Sequence, residues 1–314
     1  MRVFVAGGTG VIGQQLVPAL SDAGHTVAAM TRSRSRAHQL LRLRVEPVVC
    51  NVYDEPALAQ ALDSFAPDVV INQLTSMPPR LHSRHVLHEM SGTNRLRTEG
   101  AQRLLQASVR AGARRFVSQS VAFAYAPGVG SPALESDPLY LDAPPAFAEL
   151  IHAVAAGERI VLDAKEITGI VLRYGFLYGP GTMYARDGDF AREVERGRIP
   201  IIAEGHGIYS FVHVEDAAAA TVAAVTHCAA GIYNVVDDEP AEVREWLPYY
   251  ADLLAAPRPL RLPRLLGRLG AGSYGVHLMT CMPGASNERV RSALGWTPHY
   301  ASWRTGFEQA LAAA

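Results

Sequence analysis

Cysteine is scarce in this chain, and what there is lies scattered. The three that occur, Cys50, Cys228 and Cys281, form no C-x-x-C pair, so neither a disulfide framework nor a cysteine zinc site is supported, and a reducing cytoplasm is the expected compartment. Long apolar runs are missing too: none reaches the about 18 residues that a membrane-spanning helix needs. The start, MRVFVAGGTG, is a short apolar strand broken by glycines rather than the long apolar region of a signal peptide, so a soluble, unexported protein is expected. Charge of one sign is also lacking. A net charge of −1 provides no global attraction to nucleic acid or to an anionic membrane, and neither is expected as a partner. No metal is expected: His82, His85 and His88 recur at a step that drifts around a helix, with Arg80 and Arg84 among them.

What is present fits a well-packed globule. Apolar residues make up 49% of the 314 and charged ones 19%, enough to bury a main sheet and a smaller lobe. Strand-like runs at 2–6, 25–30, 45–49, 69–74 and 115–118 alternate with helix-like stretches at 11–23, 35–43, 56–65 and 94–111. Unbroken apolar strands alternating with helices indicate a parallel sheet covered on both faces, a Rossmann-type doubly wound α/β fold. After Ser120 proline and glycine become more frequent, and segments at 199–202, 232–236 and 260–275 interleave with returns to the core such as 170–172. The expectation is one unit over 1–314, with a cofactor-binding core at about 1–180 returning at 211–236, and a smaller discontinuous substrate lobe at about 181–210 and 237–314. Nothing in the sequence indicates the oligomeric state.

The first strand empties into Gly7-Gly8-Thr9-Gly10-Val11-Ile12-Gly13, a GxxGxxG spacing at a strand-to-helix turn. Glycine is needed there for the tight turn, for the approach of a diphosphate to main-chain N–H groups, and for close helix packing. A dinucleotide site follows, with Thr9, Val11 and Ile12 in the cradle. The second strand selects the dinucleotide. It ends Met30-Thr31-Arg32-Ser33-Arg34-Ser35-Arg36, and between Gln14 and Val45 the only acid is Asp22, so the carboxylate that would hold an NAD ribose is replaced by arginine. NADP(H) is therefore the expected cofactor, with Arg32 the leading phosphate ligand and Ser33 and Arg36 beside it.

Several further phrases resemble those of the extended short-chain dehydrogenases/reductases of the NAD-dependent epimerase/dehydratase type. Asp68-Val-Val-Ile-Asn72-Gln73-Leu74-Thr75 is similar to "DVVIHLAA", Asn51-Val52-Tyr53-Asp54 to "GDLxD" and Thr93-Asn94 with Gly100 to the "N…GT" helix. Phe116-Val-Ser118-Gln-Ser120 resembles the strand that ends in the active-site Ser or Thr, and "FVHVDDVA", "YNV" and "LGWxP" have counterparts at 211–216, 233–235 and 294–298. The resemblance spans nearly the whole chain. It implies that Asn51 and Val52 cradle the adenine, that Leu74 and Thr75 lie along the phosphates and ribose, and that Asn94 and Ser118 contact the cofactor. It also implies that Ser120 polarises a substrate carbonyl, and that Tyr174, Gly175 and Phe176 in VLRYGFLYGPG line the nicotinamide.

One departure dominates. The family's Tyr-x-x-x-Lys is absent between Ser120 and Tyr174, and anchoring on Gly157-Glu158-Arg159 puts Leu150 at the tyrosine position and Val154 at the lysine position. The tyrosine normally gives its proton to the carbonyl oxygen, a contribution of about 10²–10⁴-fold. The chain thus resembles the atypical members that lack the pair. Its proton would come from water, from a substrate hydroxyl, or from Tyr125 or Tyr178 recruited nearby. His213 is expected to be structural, and residues 260–279 to form a mobile flap over a bulky apolar substrate. The expected function is an NADPH-dependent ketoreductase acting on a bulky aromatic, polyketide-type ketone. The alternatives are a non-catalytic NADP-binding sensor and a sugar-nucleotide epimerase or dehydratase, the last disfavoured because its chemistry needs a base where Leu150 stands.

Overall fold

In the computed structural model, residues 1–43, 45–77, 85–227 and 229–312 are described. Six strands, β1 (Arg2–Ala6), β2 (Thr26–Thr31), β3 (Glu46–Val49), β4 (Val69–Asn72), β5 (Arg115–Val121) and β6 (Thr168–Tyr174), join Gly231–Val235 in one parallel sheet. Its order is β3-β2-β1-β4-β5-β6 followed by Gly231–Val235. The sequence direction of the order reverses between β1 and β4, which opens a crevice beyond their carboxyl ends, the usual ligand position in such sheets. Ala6 pairs with Asn72, Asn72 with Ser118, Ser118 with Val171 and Ser120 with Arg173, so the expected site residues share one edge of the sheet.

Helices cover both faces because both faces of each central strand are apolar. Helix α1 (Val11–Asp22) packs Ile12, Leu16, Val17 and Leu20 on one side of β1 and β2. Helix α2 (Arg34–Arg42) starts at Ser33, whose side chain accepts from the Arg36 N–H, and α3 (Glu55–Phe65) starts at Asp54, which accepts from the Ala57 N–H. The stretch expected as one helix over 94–111 begins earlier and is not uniform: α4 (Val86–Arg95) runs through a π turn at Leu96–Gly100 into α5 (Ala101–Arg110). Helix α6 (Pro145–Leu162) then crosses over β5 and β6.

The smaller C-terminal lobe is knit by aromatic side chains. Helices α7 (Asp189–Glu195), α8 (Val214–Thr226) and α9 (Val243–Leu253) precede α10 (Arg264–Thr280), which kinks at Gly272, and α11 (Glu288–Leu294) and α12 (Trp303–Ala312) close the chain. Tyr184, Phe211, Trp246, Tyr250, Trp303 and Phe307 form the centre of the lobe, while α8 returns to the sheet and packs against α1. Among the described residues no helix is long and apolar enough to cross a membrane.

Candidate active site

The glycine loop at the crevice is closed to side chains. A Cβ on Gly7, at φ +92°, would lie 2.6 Å from the Gln73 carbonyl oxygen, and one on Gly13 would lie 2.5 Å from the Gly7 oxygen. Gly10 starts α1 without a side-chain cap and no acidic residue occupies the first turn, so the positive end of the helix faces the crevice unneutralised. This backbone fits a dinucleotide diphosphate. Across the loop, Thr9 Oγ1 lies 3.3 Å from Thr31 Oγ1, and the Gly7 and Gly8 N–H groups donate to the Met30 carbonyl, tying the loop to the end of β2.

At that end Arg32 is exposed and Ser33 half-buried. Among the described residues the Arg32, Arg34 and Arg36 guanidinium groups make no ion pair. Asn51 is exposed, with its side-chain oxygen accepting from the Tyr53 N–H, whereas the Val52 side chain is buried in the core, leaving only its main chain for an adenine. On the other wall Thr75 is exposed, and Leu74 is fixed through its N–H to Asn72 Oδ1 and its carbonyl to Gln119 Nε2.

The shelf under α6 departs from expectation. Asn72 Nδ2 donates to Ser118 Oγ at 3.2 Å, and the Ser120 hydroxyl donates to Glu158 Oε1 at 2.5 Å. Glu158 is gripped in turn by Arg173 through Nε at 2.8 Å and Nη2 at 2.6 Å, with both side chains buried. Arg173 Nη1 also donates to Tyr125, whose hydroxyl donates to Asn234. Ser120, expected to polarise a substrate carbonyl, is thus tied through its hydroxyl to a buried charge network, and the Tyr125 hydroxyl is spent in the same network. The network also explains why the glutamate after the lost lysine stays: it balances Arg173.

Ser118 and Ser120 line a narrow void with Val154 of α6. Val121 packs into one apolar cluster with Leu150, Val154, Phe147 and Tyr274. Tyr174 is a second correction. Its ring belongs to the core between the sheet and α8, and its hydroxyl accepts from Gln73 Nε2 and contacts Thr221 Oγ1, so it does not line the nicotinamide. Gly175 abuts the Ser210 carbonyl, and Phe176 is stacked between Phe123 at 4.6 Å and Tyr209 at 4.1 Å. Tyr178 is sealed in the lobe core, where burial pushes its hydroxyl up and leaves it without a partner. His213 caps α8 by accepting from the Glu215 N–H, the structural role expected.

His82, Arg80, Arg84 and Cys228 lie outside the described residues. Among those described, no group of His, Cys, Asp and Glu is arranged to hold a metal. The segment expected as a flap is α10, with Leu265, Leu266 and Leu269 exposed on its first half and Tyr274 and His277 buried on its second. Sequence reasoning missed Val121, Tyr274 and Arg97. The last two come from elements whose packing on α6 has no sequence signature.

Residues 3–236 match the NAD dependent epimerase/dehydratase family, and the chain belongs to it. Its cofactor is accordingly an NAD(P) dinucleotide, and its class that of the oxidoreductases of the extended short-chain type. Among curated relatives it is 48% identical to a 3-diazoavenalumate denitrifying reductase of a Streptomyces species, over 98% of this chain and 99% of the relative. It is 25% identical to a 4-hydroxy-2-methyl-3-oxo-4-farnesyl-3,4-dihydroquinoline-1-oxide ketoreductase of Stigmatella aurantiaca, over 79% of this chain and 71% of the relative. The fold matches UDP-glucose 4-epimerase of Thermotoga maritima with a TM-score of 0.78, covering 99% of this chain and 97% of that one at 20% identity.

Proposed function

We propose that this chain is an NADPH-dependent reductase of an aromatic secondary metabolite, with a ketone of the angucyclinone polyketide type as its acceptor. The observation that carries this reading is the aliphatic shelf: Leu150 and Val154 pack with Val121 in one apolar cluster, and Phe123, two residues beyond Val121, opens an aromatic stack that runs through Phe176 to Tyr209. An apolar, ring-lined site suits a polycyclic acceptor and not a sugar nucleotide.

The bound dinucleotide would supply the hydride. The Gly7, Gly10 and Gly13 loop would take its diphosphate, Arg32 with Ser33 and Arg36 the 2′-phosphate, and Asn51 the adenine. Leu74 and Thr75 would lie along the ribose and phosphates, and Ser118 and Asn94 toward the nicotinamide end. Leu150 and Val154 would exclude water and present the acceptor face without titrating.

A second acceptor is favoured by the 48% identical relative, whose name specifies loss of nitrogen from a diazo compound. Both acceptors are electron-poor centres on an aromatic frame. The test is NADPH oxidation with a panel of polycyclic aromatic ketones and with an ortho-quinone diazide, following alcohol formation in one arm and nitrogen release in the other. Tight NADPH binding with no oxidation in either arm would replace this reading by that of a non-catalytic NADP sensor.

A further inference from the structure

A half-buried cation and a phenol stand next to Leu150 and Val154. Arg97 sits in the π turn between α4 and α5, a distortion that recurs at functional sites because it shifts side chains out of helical register. The turn presses against α6 where Gly157 lacks a side chain: a Cβ there would lie 2.7 Å from the Arg97 carbonyl oxygen. From this position Arg97 lines a narrow void with Ser118, Ser120, Val154 and Glu158, with a free volume of about 10 Å³, room for one water at most. Arg97 makes one long hydrogen bond, Nη1 to Asn94 Oδ1 at 3.4 Å, while Asn94 Nδ2 is buried without a partner. A guanidinium carries five donors, so among the described residues most of its capacity is unspent.

Tyr274 arrives from the other side. It follows the Gly272 kink in α10, packs in one cluster with Leu150 and Val154, and sets its ring 5.1 Å from that of Phe147. Among the described residues the Tyr184, Tyr209 and Tyr274 hydroxyls make no hydrogen bond, which leaves each free to meet a ligand. Of the three, only Tyr274 packs against Leu150 and Val154 and lies within electrostatic reach of Arg97.

We propose that Tyr274, supported by Arg97, is the proton donor that takes the place of the absent tyrosine and lysine, an inference that rests on the reductase reading above. As the acceptor carbon gains hydride from the reduced nicotinamide dinucleotide, the C–O π pair passes to oxygen, and that oxygen takes the Tyr274 proton. The phenolate left behind is stabilised by the Arg97 charge and regains its proton from water. Burial pushes the Tyr274 hydroxyl up to about 12, so it holds its proton until the alkoxide forms. Burial also pulls Arg97 down to about 10, which leaves it cationic at neutral pH. The pair comes from α10 and the π turn, so it replaces the function without the motif. Tyr274 is the catalytic residue and Arg97 a positioning residue.

The test has two arms. In the first, Tyr274→Phe is compared with wild type on the aromatic ketones that wild type reduces, and kcat is expected to fall ~10²-fold or more while NADPH affinity and melting temperature hold. Retention of kcat within fivefold overturns the proposal. In the second, 2,3,5-trifluorotyrosine at position 274, whose fluorines acidify the phenol so that it titrates while Arg97 is still cationic, is followed by fluorine NMR in the cofactor-free protein. The phenol is expected to titrate about one pH unit or more higher in Arg97→Gln than with Arg97 present, and Arg97→Lys is expected to restore part of the difference. Equal titration in all three backgrounds overturns the pairing. If wild type reduces none of the ketones, the acceptor reading falls on its own, and the titration still decides whether the two residues act together.

Discussion

At the β1–β4 end of the sheet, the backbone leaves the side chain no choice. A methyl group on Gly7 or Gly13 would collide with main-chain oxygens at 2.6 and 2.5 Å, so the diphosphate cradle must be spelled in glycine. Under α6 the constraint is different. Leu150 and Val154 stand one turn apart on α6, at the positions that the family resemblance gives to a tyrosine and a lysine, and each fits an already apolar cluster. What stays fixed beneath them is the charge network of Ser120, Glu158 and Arg173, which supports the sheet whether or not the acid pair is present. Cofactor binding is written into main-chain geometry, whereas proton donation is carried by side chains that other elements can deliver. A reaction component can therefore be replaced where a binding loop cannot.

The largest effect that would sharpen this contrast is on the network. Arg173→Ala leaves Glu158 as an uncompensated buried charge, and equilibrium denaturation is expected to show a loss of ~3–5 kcal/mol. A loss below ~1 kcal/mol would mean that the shelf does not rest on this pair.

Next comes acid sensitivity. His277 on α10 lies 5.2 Å from both Tyr140 and Phe147, and burial lowers its pKa from 6.5 to about 4. Between those values the unfolded chain binds the proton that the folded chain refuses, so stability falls as pH drops. The slope reaches about 1.4 kcal/mol per pH unit, up to about 3 kcal/mol by pH 4. His277→Phe is expected to flatten that part of the melting temperature against pH profile, and an unchanged slope would place the acid limb elsewhere.

The smallest effect tests the crevice. Arg32→Ala is expected to weaken NADPH about tenfold, roughly 1.4 kcal/mol, while leaving NADH and the melting temperature nearly unchanged. Equal affinity of the wild type for the two dinucleotides would break the assignment of the 2′-phosphate.

The sequence by itself determined the doubly wound sheet, the glycine loop, the basic end of β2 and the loss of the Tyr-x-x-x-Lys pair. Each of these is a local matter: alternation of apolar strands with helices, a turn that only glycine tolerates, or the plain identity of a residue at a helical spacing. The direction in which a side chain leaves its strand, and what meets it there, was settled by tertiary packing. Ser120 looked like an electrophile until Arg173, paired with it across β5 and β6, brought in Glu158; Tyr174 looked like a wall of the nicotinamide site until Gln73 and Thr221 claimed its hydroxyl. Tyr274 and Arg97 are 177 positions apart, and each reaches α6 from its own element, α10 and the π turn. No periodicity or spacing records that approach, because the contact is made between surfaces and not along the chain.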